Sequence, residues 1–170
     1  KMFDLADEFY RQDNESSLEN SEIIIIASEK FHEGVIGLVA GKLAQKYYKP
    51  AIVITTNGDT AKGSARSVSG INIIELLRHF EDLFTGLGGH PMAAGFSLKT
   101  ENLAQFTADL IKYAQETILP DLLVPHLNID LEIPLSFITA DLLKEVDQLK
   151  PYGIGNPEPL FLSRNIGVAG

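Results

Sequence analysis

The stretch "IIIIASEKFHEGVIGLVAGKLAQKYYKPAIVITT", residues 23–56, decides the fold class. It opens with four isoleucines, and residues 23–28 show no polar alternation, which predicts a strand buried on both faces. Residues 33–48 carry apolar side chains at helical spacing and stop before Pro50, so a helix follows. Residues 51–56 predict a second buried strand, closed by a turn at Asn57-Gly58-Asp59. Strand, helix and strand in succession place the chain in the α/β class.

Working outward, "TAKGSARS" (60–67) reads as a returning third strand. Residues 72–80 predict a short amphipathic helix, with Asn72 as N-cap and Glu75 three residues later. "GLGGHPMAAGF" (86–96) holds three glycines, a lone histidine and a proline before the strand "AAGFSL". Residues 101–118 predict a helix with Leu103, Phe106, Leu110 and Ala114 near one face. Together these elements imply a mixed β-sheet flanked by helices over residues 21–122. Upstream, residues 2–19 read as a helix that decays into a polar linker over 11–22. Downstream, residues 126–133 alternate strictly, as in a half-buried antiparallel strand, and begin a second unit, 123–170, with a helix at 139–150.

Composition narrows the function. Hydrophobic residues make up 45% and charged residues 22% of the 170, a globular profile without a run of membrane-spanning length. The absence of cysteine excludes disulfides and zinc–thiolate sites, and points to a reducing cytoplasm. A net charge of −9 excludes a broad basic surface. The acids are concentrated early: residues 1–22 hold seven against two bases, whereas residues 60–99 hold three against four. Any anion site must be local and built from a few groups.

Two segments offer such groups. In an extended "KGSARS", Lys62, Ser64 and Arg66 share one face while Gly63 and Ala65 keep the other thin. An ammonium, a hydroxyl and a guanidinium in one row form a donor array suited to phosphate; an exposed polar edge strand is the alternative. A phosphate-binding P-loop is excluded because Lys62 precedes Gly63 and no helix follows. In the second segment, Gly88 and Gly89 free the backbone for close approach, their bare N–H groups could cup an anion, and His90 adds a directional donor; a tight turn with an incidental histidine is the alternative. His32 precedes the helix at 33–48, near N–H groups that favour anions, although structural duty fits it as well. Gly34, Gly37 and Gly41 fall on one stripe of that helix and predict close packing against a neighbour. His79 and His126 fit structural or solvent roles. No two histidines stand at i, i+4, and neither a nucleophile elbow nor a dinucleotide fingerprint is present.

Taken together, "FHEGVIGLVAGKLAQKYYKPAIVI", "KGSARSVSG", "GLGGHPMAAGFSL" and "LKPYGIGNPEPLF" resemble the DHH-associated domain and the start of the oligonucleotide-binding (OB) domain of RecJ-type single-strand-DNA exonucleases, in the DHH phosphoesterase superfamily. The resemblance covers about residues 21–168; Phe31 departs from it, since the family usually has Trp there. It implies a metal-dependent 5′→3′ exonuclease of DNA repair and recombination whose Mn²⁺ or Mg²⁺ sits in a DHH domain. The chain has no His-His pair, so it reads as the substrate-gripping piece: 1–20 the end of a linker helix, 21–122 the DHH-associated domain, 123–170 a truncated OB start. By resemblance Ser64 and Arg66 would hold a 5′-phosphate, and His90 with Gly88 and Gly89 would face the scissile region. His32 would line the same cleft, Lys62 would assist, and a cleft that threads single strands would exclude duplex. The resemblance leaves two other readings in view, a stand-alone nucleic-acid-binding module like that of alanyl-tRNA synthetases and a nano-RNase or small-nucleotide phosphodiesterase.

Overall fold

Why one face of a sheet is left open follows from which strands the helices cover. A computed structural model describes residues 1–16 and 21–167, the side chains of 13–16 excepted. The strands are β1 (Ile24–Ala27), β2 (Ala51–Asn57), β3 (Thr60–Arg66), β4 (Phe84–His90) and β5 (Ala93–Lys99). They form one sheet in the order β1-β2-β3-β5-β4. The β1–β2 pair is parallel, joined through helix α2 (Ile36–Tyr47), and the other pairs are antiparallel. The sheet is thus mixed and flanked by helices, as the sequence implies.

Helices α3 (Ile73–Arg78) and α4 (Leu103–Thr117) pack on one side. There Ile52, Ile54, Ala65, Phe96 and Leu98 of the sheet meet Ile73, Leu77, Phe106 and Leu110. Gly63 belongs to this side: a Cβ at that position would run into the Phe96 ring. On the other side Ile24, Ile26, Ala51 and Val53 are covered by α2 and by helix α1 (Met2–Ser16), whose Ala6 is fully buried. No residue of β4 or β5 joins that second core. The α1–α2 layer ends over β3.

Helix α1 continues through Arg11–Ser16, where the polar composition suggests a linker; its expected end at 19 lies outside the described residues. Asp7 explains much of its attachment, accepting from Lys46 Nζ at 2.7 Å and from the Tyr47 hydroxyl at 2.7 Å. These bonds, the one from Lys46 foremost, hold the Asp7 carboxyl below the usual carboxylate range and raise Lys46. The edge-strand alternative for residues 60–67 fails, because β3 lies between β2 and β5. The glycine segment is corrected too: Gly86 to His90 is edge strand β4, not a turn, and the reversal falls on Pro91-Met92. Glycine has weak strand propensity, so the sequence signal was faint; pairing with the strongly patterned β5 overrides it.

The chain divides into units Lys1–Pro125 and His126–Gly170. In the second, β6 (Leu131–Glu132) pairs in parallel with β7 (Phe161–Leu162), and Thr139 caps helix α5 (Ala140–Asp147) by accepting from the Leu142 N–H. The long antiparallel strand expected over 126–133 is therefore not formed. Leu127, Ile129 and Leu131 are exposed and only Ile133 is buried, because among the described residues β7 alone pairs with this segment. No helix among the described residues is long and apolar enough to cross a membrane.

Candidate functional site

Directly opposed residues of antiparallel strands present their side chains on the same face. The register across β3, β5 and β4 accordingly yields three rows: Arg66–Ala93–His90, Ser64–Gly95–Gly88 and Lys62–Ser97–Gly86. All lie on the face that carries α1 and α2, whose layer reaches over Arg66 and Ser64 of β3 and leaves the β5 and β4 positions open. Two strand spacings, about 10 Å, separate the β3 backbone from that of β4. The floor between is small: Ala93, Gly95, Gly88 and Gly86 carry no more than a methyl, and a Cβ at Gly86 or Gly88 would meet nothing within 4 Å. A hollow of about 500 Å³ opens here, lined by Glu33, Gly37, Lys62, Ser64, Gly95 and Ser97 among others.

Arg66 is half-buried and joins none of the ion pairs among the described residues. Its Nη1 donates to Ser64 Oγ at 3.1 Å and to the Ala65 carbonyl at 2.8 Å. That leaves Nε and Nη2 with donor capacity, and because Ser64 Oγ accepts from the guanidinium, its own O–H is available to a ligand. Helix α2 lies close above. A Cβ at Gly37 would sit 2.8 Å from Arg66 Nη2 and 3.1 Å from Ser64 Oγ; one at Gly41 would sit 3.9 Å from Arg66 Cγ. The glycine stripe thus has its neighbour, apart from Gly34, whose nearest contact is the His32 ring.

His90 ends β4, exposed, and its Nδ1 accepts from the Met92 N–H at 3.3 Å. The proton of the neutral ring then resides on Nε2, a donor in the Arg66 row. Gly88 continues the Ser64–Gly95 row on the same face, although Gly88, His90 and Arg66 lie outside the lining of the hollow itself. Gly89 lies opposite Ala94 on the core side, and a Cβ there would collide with the Ala93 carbonyl oxygen. With φ +156°, Gly89 is required by packing rather than by approach of a ligand.

Two expectations are corrected. Lys62 is not a free member of a donor-only row: its Nζ lies 2.7 Å from the Glu33 carboxylate. His32 does not line the hollow of Ser64; it borders an adjoining one of about 880 Å³ with Phe31, Thr55, Asn57 and Thr60. Its Nδ1 accepts from the Gly34 N–H at 3.1 Å, so the ring itself fills the position at which an anion would meet that N–H. Sequence reasoning missed Glu29 and Lys30, which line the adjoining hollow, and Glu33, which lines both hollows, as does Lys62. The only signal for Glu33 was its place directly after His32. His79 stacks on Tyr113 at 4.0 Å, a structural role, and no group of three or more His, Cys, Asp or Glu among the described residues could hold a metal ion.

Residues 20–116 match the model of the DHHA1 domain, and residues 129–170 match that of the RecJ OB domain. The chain is 38% identical over 144 residues to the single-stranded-DNA-specific exonuclease RecJ of Bacillus subtilis, a match covering 84% of this chain and 18% of that protein. The crystal structure of RecJ in complex with Mn²⁺ from Thermus thermophilus superposes with a TM-score of 0.76 at 30% identity, over 94% of this chain and 24% of that one. The corresponding complex with Mg²⁺ gives 0.74 at 30% identity, over 92% and 24%. The chain spans about a fifth to a quarter of the length of these relatives.

Proposed function

The chain belongs to the DHHA1 domain family, and on that footing we propose that it grips the 5′ end of single-stranded DNA for a RecJ-type exonuclease of DNA repair and recombination. The observation that carries this reading is the half-buried Arg66, without a carboxylate partner among the described residues, beside Ser64 on an open, small-residue floor. A guanidinium held out of bulk water and lacking a counter-ion favours an anion, and its planar fork suits a terminal phosphate. Ser64 donates a further bond. His90, across the floor in the same row, donates from Nε2 to a non-bridging oxygen of the next phosphodiester, where charge develops during cleavage.

Among the described residues no ligand cluster fits a catalytic divalent ion, and His32 and His90 each spend Nδ1 on a backbone N–H. Hydrolysis, with the Mn²⁺ or Mg²⁺ that the solved relatives bind, is assigned to residues outside this sequence. Within it, residues 21–122 supply the phosphate grip and 123–170 the beginning of an OB surface for the strand beyond; helix α1 connects to the rest of the enzyme. A cysteine-free chain suits the cytoplasm, where such DNA ends arise.

The test compares single-stranded oligonucleotides carrying a 5′-phosphate or a 5′-hydroxyl, labelled at the 3′ end and read by fluorescence anisotropy. Arg66→Ala is expected to erase a preference for the phosphate of roughly ten- to a hundredfold, the range for charge-assisted hydrogen bonds. Equal discrimination by the variant would overturn the assignment.

A further inference from the structure

The two hollows meet at one ion pair. Glu33 and Lys62 line both, their charged groups 2.7 Å apart, with 60% and 45% of the side chains exposed. The pair forms the partition between the hollow containing Ser64 and the one bordered by His32, Thr55, Asn57 and Thr60. Arg66, on the same strand face, has no such partner among the described residues. One cation of the row is open to an anion and the other already holds one.

We propose that the Glu33 carboxylate is a displaceable stand-in for a second phosphate: Lys62 binds a phosphodiester further along the strand, and Glu33 must release it first. This rests on the reading of Arg66 and Ser64 as the grip on the terminal phosphate. Residues on one face of a strand recur about every 6.7 Å, so the Lys62 and Arg66 backbones stand about 13 Å apart along β3. The Arg66 fork rests on Ser64 whereas the Lys62 ammonium turns to Glu33 at the partition between the hollows, which assigns the two cations to different phosphates. An exposed ion pair contributes little stability, so exchanging carboxylate for phosphate is close to balanced. With Glu33 in place, only a strand that also gains contacts in the adjoining hollow keeps Lys62. The carboxylate thereby favours a chain of several nucleotides over a mononucleotide or free phosphate, which the Arg66 end alone would hold.

The experiment titrates the chain with thymidine 5′-monophosphate and with a 5′-phosphorylated thymidine octanucleotide, following amide shifts by NMR. Glu33→Gln is expected to tighten the octanucleotide roughly two- to fivefold, the span of exposed ion-pair energies, and to leave the monophosphate unchanged. The slope of log affinity against log salt should steepen by up to about 0.7, one further single-strand phosphate. In a Lys62→Ala background the same change should have no effect. An octanucleotide affinity indifferent to Glu33→Gln, or a gain that persists without Lys62, overturns the proposal while the Arg66 grip stands. Insensitivity of both ligands to Arg66→Ala removes the grip itself, and a failure of either ligand to bind wild type and Glu33→Gln removes both readings.

Discussion

Gly37→Ala separates stability from binding, because its effects on the two have opposite signs. In the first turn of α2, Gly37 has no left-handed φ to defend, so alanine suits the backbone and stands to gain up to about 1 kcal/mol of helix propensity. The added methyl would sit 2.8 Å from Arg66 Nη2 and 3.1 Å from Ser64 Oγ. The nearer obstacle is the far end of a flexible side chain, which swings away at small cost. The fold should therefore hold within about 0.5 kcal/mol of wild type or gain slightly, as judged by urea unfolding. Binding should not hold. A swung guanidinium leaves Ser64 and the open floor, forfeiting charge-assisted bonds of about 1.5–3 kcal/mol, a roughly ten- to hundredfold loss for a 5′-phosphorylated strand. Gly41→Ala is the internal control: its Cβ would be 3.9 Å from Arg66 Cγ, ordinary contact, so it should stabilise without loss of affinity. The reasoning fails if Gly37→Ala unfolds the chain, or if it binds the phosphorylated end as tightly as wild type.

The pleat of β4 sets a second contrast. Gly88→Val should leave thermal stability unchanged while obstructing the binding face, whereas Gly89→Ala should destabilise by about 1–3 kcal/mol, since its Cβ meets the Ala93 carbonyl. Asp7 has its folded pKa lowered, chiefly by Lys46, so its contribution is complete above the unfolded value near 3.8 and is lost as pH falls through the folded one. Unfolding midpoints of wild type and Asp7→Asn should thus differ by a constant amount at neutral pH and converge in acid below 3.8; a gap that persists there would show that the ion pair is not its source. If the proposed function holds, a RecJ-type exonuclease carrying this chain should lose turnover more than substrate affinity on His90→Ala in single-turnover kinetics, and equal losses would make it a ground-state contact.

The fold was legible wherever one period dominated. Four isoleucines, a helix ending before Pro50 and the "AIVITT" strand leave one reading, and the alternation of "KGSARS" places Lys62, Ser64 and Arg66 on one face before any register is known. What sequence could not carry is pairing. Glycines 86, 88 and 89 have no propensity to declare a strand, and what fixes β4 in place is pairing with β5 together with the packing of Phe84 on Phe96 and Phe106. The alternation at 126–133 is as regular as that of β3, yet Leu127 and Ile129 stay exposed because a pattern declares a face without supplying its cover. Glu33 escaped for a similar reason: its partner Lys62 is 29 positions away, brought near only when α2 crosses above β3.

The helix glycines and the sheet glycines solve one steric problem from two directions. A phosphate needs an Arg66 fork that still faces open space, and the guanidinium must be ordered before the ligand arrives if little entropy is to be lost on binding. Gly37 lets α2 settle close enough to hold the Arg66 side chain along the strand, where Ala65 and Ser64 fix its Nη1. Gly95 and Gly88, next in the Ser64 row, then leave the space into which that ordered fork can face. Each glycine in the helix interior costs about 1 kcal/mol against alanine. Packing alone would be served as well by small residues of higher propensity. The structure instead keeps glycine where a methyl would touch Nη2, and alanine in the same helix where Ala40 and Ala44 meet only the apolar core. That division within one helix ties the glycine at 37 to the guanidinium beneath it.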